Sequence, residues 1–357
     1  MKIGLTIIFL AIAATLCGED LPCKSKTPRE SYPNVDVIYD SVTAPDGKRL
    51  RTIITKSHDS EGKLPVIFVA GWLSCDSVEA LAGRKDESGL VFRGLAQVPG
   101  FAFFRMDKHG VGEGVCAETD FDSELAGYRA AFRALKKYDF IDTKRIYMLG
   151  ISNGGGFAPL VPESDPEQAQ VRGYISMGGW VKTWFEHMLE IERRRFALMG
   201  KSPGEVNDRM KGATTLYYEW LIKGRSVDDI LKEQPQLADL WPEGKDYAHL
   251  YGRPLRFYQQ LQQLNFATAW SRVKVPTYVL RGAFDWIMSR EDSELIAAYV
   301  NKNGDLASFY EIPNTGHTFQ HYLSLADAFK GKSAPFDPKV IGLLADWLRN
   351  KAITHED

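Results

Sequence analysis

Two alternating runs, Val35 to Tyr39 and Leu50 to Thr55, flank the turn signal Ala44-Pro45-Asp46-Gly47. Alternation marks strands with one covered face and Pro-Asp-Gly marks a turn, so a hairpin opens the folded chain. From Leu64 to Ala70 the pattern becomes continuously apolar, as in parallel strands buried on both faces. Phe101 to Asp107, Arg145 to Ile151, Val171 to Met177, Pro276 to Gly282 and Ala307 to Ile312 predict further strands. Between them, Ser77 to Gln97, Phe121 to Tyr138 and Val340 to Lys351 predict helices. Strand and helix in alternation mean a mostly parallel sheet flanked by helices, an α/β fold. From Val181 to Leu264 the strand signals stop. Helix-forming runs such as Trp184 to Leu198 and Ala213 to Lys223 take over, which predicts a helical cap inserted between two sheet strands. The expected division is a core of residues 35–180 and 265–352 and a cap of residues 181–264.

A chain of 357 residues suits one large domain with an insertion, or two smaller domains. Its 25% charged residues and net charge of −2 give no reason to expect nucleic acid or an anionic membrane surface as partner. The N-terminus has its own character. Met1-Lys2 precedes an uncharged run from Ile3 to Gly18, followed by Glu19-Asp20, the pattern of a secretory signal peptide over residues 1–18. That run is shorter than the ~20 residues of a membrane span. Cys17 suggests a lipid anchor, but Ala14-Thr15-Leu16-Cys17 departs from the usual lipobox. Export to the periplasm or the extracellular space changes what the cysteines mean. Cys75 and Cys116 fall in the loops after the third and fourth strands, where an oxidising compartment would join them as a disulfide; two buried thiols are the alternative. Cys23 is left unpaired.

The chemistry gathers around Gly150-Ile151-Ser152-Asn153-Gly154. A buried strand precedes it and helix-opening residues follow, so Gly-x-Ser-x-Gly reads as a nucleophile elbow rather than an ordinary glycine-rich loop. Gly150 and Gly154 leave room for the close approach, and Ser152 is the expected nucleophile. A serine needs a base, and the base needs a carboxylate to hold its tautomer. Asp285, in Gly282-Ala283-Phe284-Asp285-Trp286, and His317, in Asn314-Thr315-Gly316-His317, each follow a strand and complete the order Ser, acid, His. Asp292, Glu291 and Glu294 are rival acids on what reads as an exposed first helical turn. His321, His109, His187, His249, His58 and His355 are poorer bases by order or surroundings. The Asn153 N–H and one from the loop after the third strand, Trp72 first and Leu73 second, would form an oxyanion hole. No metal-ligand spacing appears, and Gly110-x-Gly112-x-Gly114 reads as a tight loop rather than a dinucleotide site, so no cofactor is expected.

These residues resemble the α/β-hydrolase superfamily over nearly all of the chain after residue 35. Asp107-Lys108-His109-Gly110-Val111-Gly112 is similar to the loop that superfamily carries after its fourth strand, with lysine-histidine departing from the usual arginine. Gly150-Ile151-Ser152-Asn153-Gly154-Gly155 also resembles the elbow of prolyl-oligopeptidase and dienelactone-hydrolase relatives. The resemblance implies acyl transfer to water on a small-molecule ester, with Ser152, His317 and Asp285 as the triad. Trp184, Phe185, Tyr217, Tyr218 and Trp220 would line an apolar pocket or fill the cap's core. A capped aminopeptidase is the nearest rival and would need an acidic cap group, Glu186 or Glu190, to hold a substrate amine. A binding protein that has lost catalysis is a rival of another class.

Overall fold

The computed structural model describes residues 29–111, 116–164 and 171–353. The expected signal peptide with Cys17, and also Cys23, Gly112, Gly114 and His355, lie outside the described residues. The predicted hairpin is β1 (Val35–Thr43) paired antiparallel with β2 (Arg49–Ser57). Then β3 (Leu64–Ala70), β4 (Ala102–Met106), β5 (Ile141–Ile151) and β6 (Val171–Met177) alternate with α1 (Glu87–Leu95), α2 (Phe121–Ala134) and α3 (Asn153–Phe157).

Between β6 and the next sheet strand lie α4 (Trp184–Leu198), α5 (Pro203–Tyr217), α6 (Val227–Glu233), α7 (Leu255–Gln262) and α8 (Phe266–Ser271). Thr183 with Glu186 and Ser202 with Glu205 form capping boxes that start α4 and α5. One strand pair interrupts these helices where none is predicted: β7 (His249–Leu250) against β8 (Arg253–Pro254). Tyr251 and Gly252 both adopt positive φ, the turn geometry that matches strand twist with only two residues. The sheet resumes with β9 (Thr277–Gly282), α9 (Arg290–Asn301) and β10 (Ala307–Ile312), and α10 (Leu325–Phe329) and α11 (Lys339–Ile353) close the chain.

The eight-stranded sheet has the order β1-β2-β4-β3-β5-β6-β9-β10, parallel from β4 to β10. Its interior strands bury both faces, which explains their unbroken apolar sequences. One face packs on α1 and α11 through Val91, Phe92, Leu95, Val340, Leu344 and Leu348. The other face packs on α2, α3 and α9, and its core continues into the segment between β6 and β9. Register aligns the strand ends: Gly150 stands opposite both Ala70 and Ser176, and Ile312 opposite Gly282. The loops that leave β3, β5, β6, β9 and β10 therefore share one sheet edge.

The helix expected over residues 77–97 is confined to Glu87–Leu95. Asp107 Oδ1 accepts hydrogen bonds from the Val78 N–H (2.8 Å) and the Ser77 hydroxyl (2.9 Å), and Arg84 takes the carbonyls of Ser77 and Glu79. Groups that would enter a helical ladder are thereby held by tertiary partners. On the same side, Glu30 is buried in a bidentate pair with Arg105 (2.9 and 3.0 Å) and also accepts from the Ala80 N–H and the Tyr32 hydroxyl. Among the described residues, no helix is long and apolar enough to cross a membrane.

Candidate active site

The sharp turn from β5 into α3 puts Ser152 at φ 54°, ψ −116°, a conformation that L residues avoid. Its N–H donates to the Met177 carbonyl (2.8 Å), which fixes the turn to β6. Neither flanking glycine has room for a side chain. A Cβ on Gly150 would lie 2.4 Å from the Gly154 carbonyl oxygen, and one on Gly154 would lie 2.0 Å from that of Ala70. The strained turn is thus held from both sides.

The loops after β9 and β10 interlock through backbone hydrogen bonds, Ala283 N–H to Ile312 (2.9 Å) and Phe284 N–H to Thr315 (2.7 Å). They bring Asp285 and His317 together. Asp285 Oδ2 lies 2.8 Å from His317 Nδ1, and His317 Nε2 lies 2.9 Å from Ser152 Oγ. A carboxylate can only accept, so Nδ1 carries the imidazole hydrogen and Nε2 is left to accept from Ser152. The other Asp285 oxygen accepts from the N–H groups of Ile287 and Met288, each at 2.9 Å. Burial pushes the Asp285 carboxyl up; His317, Arg281 and the Met288 N–H outweigh this and hold it below the usual aspartate range. Arg281 fixes the loop by donating to the Asp285 carbonyl (2.7 Å) while pairing with Glu311.

The rival acids have other tasks. Asp292, expected on an exposed turn, is fully buried and accepts from the Ser289 hydroxyl (2.6 Å) and the Val181 N–H (3.0 Å). Glu291 pairs with Lys182, and Glu294 with Arg290. Among the histidines, His321 is exposed, His109 contacts Asp46 (2.7 Å), His58 pairs with Asp36 and His249 with Asp246. His187 is buried against Trp180 and Trp184, and burial pushes it down to about 3, so it stays neutral.

Trp72 and Leu73 sit in the loop after β3, beside the elbow. Tyr128 anchors the loop's start, its hydroxyl accepting the Gly71 N–H at 2.9 Å. Three successive carbonyls are then held by basic side chains. Lys108 Nζ donates to Trp72 (2.6 Å) and to Ser74, and Arg253 Nε donates to Leu73 (2.9 Å). Arg253 also reaches the Cys116 carbonyl (3.0 Å) and Glu124. Cys75 and Cys116 form a disulfide with their Cα atoms 5.8 Å apart, joining the loops after β3 and β4.

Other residues around the site have no sequence signature. Arg194, in the Arg193-Arg194-Arg195 run of α4, donates to the carbonyls of Trp286 (2.8 Å) and Ile287 (2.6 Å) and so braces the acid loop. Of that run, only Arg193 is exposed. Glu87, at the start of α1, bonds Gln320 three residues beyond His317, and burial raises its carboxyl. Trp184, Tyr217 and Trp220 are buried among one another and Tyr258, whereas Tyr218 is partly exposed.

No protein-family model matches the chain, and no curated protein matches it. Solved structures do. Est1E from Butyrivibrio proteoclasticus superposes with a TM-score of 0.54 at 15% identity, over 88% of this chain and 99% of that one. An esterase from Pyrobaculum calidifontis gives 0.52 at 15% identity, over 90% and 87%. The acylaminoacyl peptidase of Pyrococcus horikoshii gives 0.52 at 12% identity, over 89% of this chain but 42% of that one. Identities this low carry the fold alone, and that fold is the one the sheet order and the elbow already describe: this chain has the α/β-hydrolase fold.

Proposed function

We propose that the protein is a serine hydrolase that cleaves carboxylic esters with small to medium apolar acyl or aryl groups. The observation that carries this reading is the unbroken chain from Ser152 Oγ to His317 (2.9 Å) and on to Asp285 (2.8 Å). His317 Nε2 takes the hydroxyl proton as Ser152 Oγ attacks the ester carbonyl, and buried Asp285 stabilises the imidazolium that forms. The negative charge on the carbonyl oxygen is met by the N–H groups of Asn153 and Trp72, with Leu73 as second choice for the latter. The imidazolium then protonates the departing alkoxide, leaving an acyl-enzyme. Water, deprotonated by His317, attacks that acyl group; the acid departs and Ser152 regains its proton.

The segment of residues 181–264 serves in this reading as the cap that shapes the acyl pocket. The Cys75–Cys116 disulfide supports export to an oxidising compartment, as the signal-like N-terminus does. Hydrolysis of p-nitrophenyl esters from acetyl to decanoyl tests the reading, with Ser152→Ala as control. Turnover that vanishes in the variant is expected, and its chain-length optimum sizes the pocket. Silence on every ester, without labelling by a fluorophosphonate, would refute it.

An aminopeptidase remains the second reading. The acidic residues first considered for it are engaged, Glu186 with the Thr183 cap and Glu190 with Lys182. Glu87, half-buried near His317, is the carboxylate that favours it. Proline and alanine p-nitroanilides turned over faster than esters, and lost in Glu87→Gln, would select that reading.

A further inference from the structure

The loop after β3 lies between two neighbours. Sheet order places β4 on one side of β3 and β5 on the other, so Lys108 and Ser152 flank the loop from opposite sides. Lys108 is buried, with its Nζ on the carbonyls of Trp72 and Ser74. Its Nζ also lies 5.4 Å from the centre of the Trp72 ring, so the same head group holds side chain and backbone. Burying an amine costs free energy, and here desolvation pushes Lys108 down to about 7. No carboxylate makes a hydrogen bond to it among the described residues; its bonded partners are backbone carbonyls of this one loop. A buried amine spent wholly on one stretch of backbone points to that backbone as the thing being controlled.

We propose that Lys108 is a positioning residue for the oxyanion loop, gripping it from the β4 side so that its amides stay aligned on Ser152. The proposal rests on the serine-hydrolase reading. In a trans peptide unit the N–H lies opposite the C=O. Fixing the carbonyls of Trp72, Leu73 and Ser74 therefore fixes the N–H directions of Leu73, Ser74 and Cys75, so the grip acts directly on the Leu73 donor and reaches the Trp72 N–H through the Trp72 Cα that the two peptide units share. Arg253 supplies the Leu73 bond from the segment between β6 and β9, but it also binds Cys116 and Glu124, so its loss would disturb more than the loop. Lys108 is the cleaner probe.

Lys108→Met keeps the stem's volume and removes the donors. In the full-length oxidised protein its circular dichroism should match the wild type. Against a p-nitrophenyl ester, kcat should fall about 10²-fold, the scale of losing one oxyanion donor. KM should change less than about threefold, because substrate ground-state binding does not use the oxyanion amides. An alkyl boronic acid, whose serine adduct is tetrahedral, should lose affinity by the same factor as kcat/KM. A merely structural lysine would not link those two losses. Should Lys108→Met fail to fold, Lys108→Gln retains an N–H donor and should show an intermediate loss of both quantities together. An active wild type whose folded Lys108 variant keeps kcat and boronate affinity, or loses only KM, overturns the proposal alone. A wild type inert to esters and fluorophosphonate overturns the hydrolase reading and this proposal with it.

Discussion

Ser152 holds a backbone conformation that costs on the order of 1–3 kcal/mol, and only its surroundings keep it there. The serine is legible in the sequence because the strain demands glycines at fixed spacing. Asp285 and His317 are legible for a related reason, since each follows a strand end within a short turn. Asp285 is the residue on which the proposed chemistry is easiest to test. Asp285→Asn retains the shape but presents an amide N–H or an uncharged oxygen to Nδ1, which permits the tautomer that cannot accept from Ser152. We expect kcat to fall about 10³- to 10⁴-fold in steady-state ester assays at neutral pH, with KM little changed. Lys108 and Arg194 were not legible as site residues. Each acts on backbone carbonyls of a distant loop, and no side-chain pattern in a sequence records where a carbonyl points.

Elements followed the hydrophobic pattern wherever burial decided them. All eight sheet strands were readable, the interior ones because they must be apolar on both faces and the opening hairpin because its runs alternate. The segment from Ser77 to Asp86 was misread as helix because its composition suits one. What overrides that preference is Asp107, far along the chain, together with Arg84. The disulfide works at this scale too, joining loops 41 residues apart in sequence. A loop of that length restricts the unfolded chain by about 4 kcal/mol in the chain-entropy account. The Cys75→Ser, Cys116→Ser double variant should therefore melt several degrees lower by calorimetry. Its ester kcat should fall as well, since Cys75 continues the loop that Lys108 and Arg253 hold. An unchanged melting temperature would count against the bond's formation in the purified protein.

For the whole molecule, carboxylates buried beside cations set the response to acid. Burial pushes Glu30 up, but Arg105 and the hydrogen bonds around it leave it below the usual glutamate range, and Asp285 is lowered likewise. A carboxyl whose folded pKa lies below its unfolded value adds stability at pH above that unfolded value, ~4. That stability drains away as pH falls through the folded value. Urea midpoints should therefore hold from pH 7 to about 5 and drop below about 4. The Glu30–Arg105 pair carries a further consequence, for processing at the N-terminus. Arg105 lies within a buried strand, and its carboxylate partner comes from a residue ahead of the first strand. Any peptidase trimming the chain past Glu30 would strand a guanidinium in the interior, so the molecule's own electrostatics set how far its N-terminal side can be cut back.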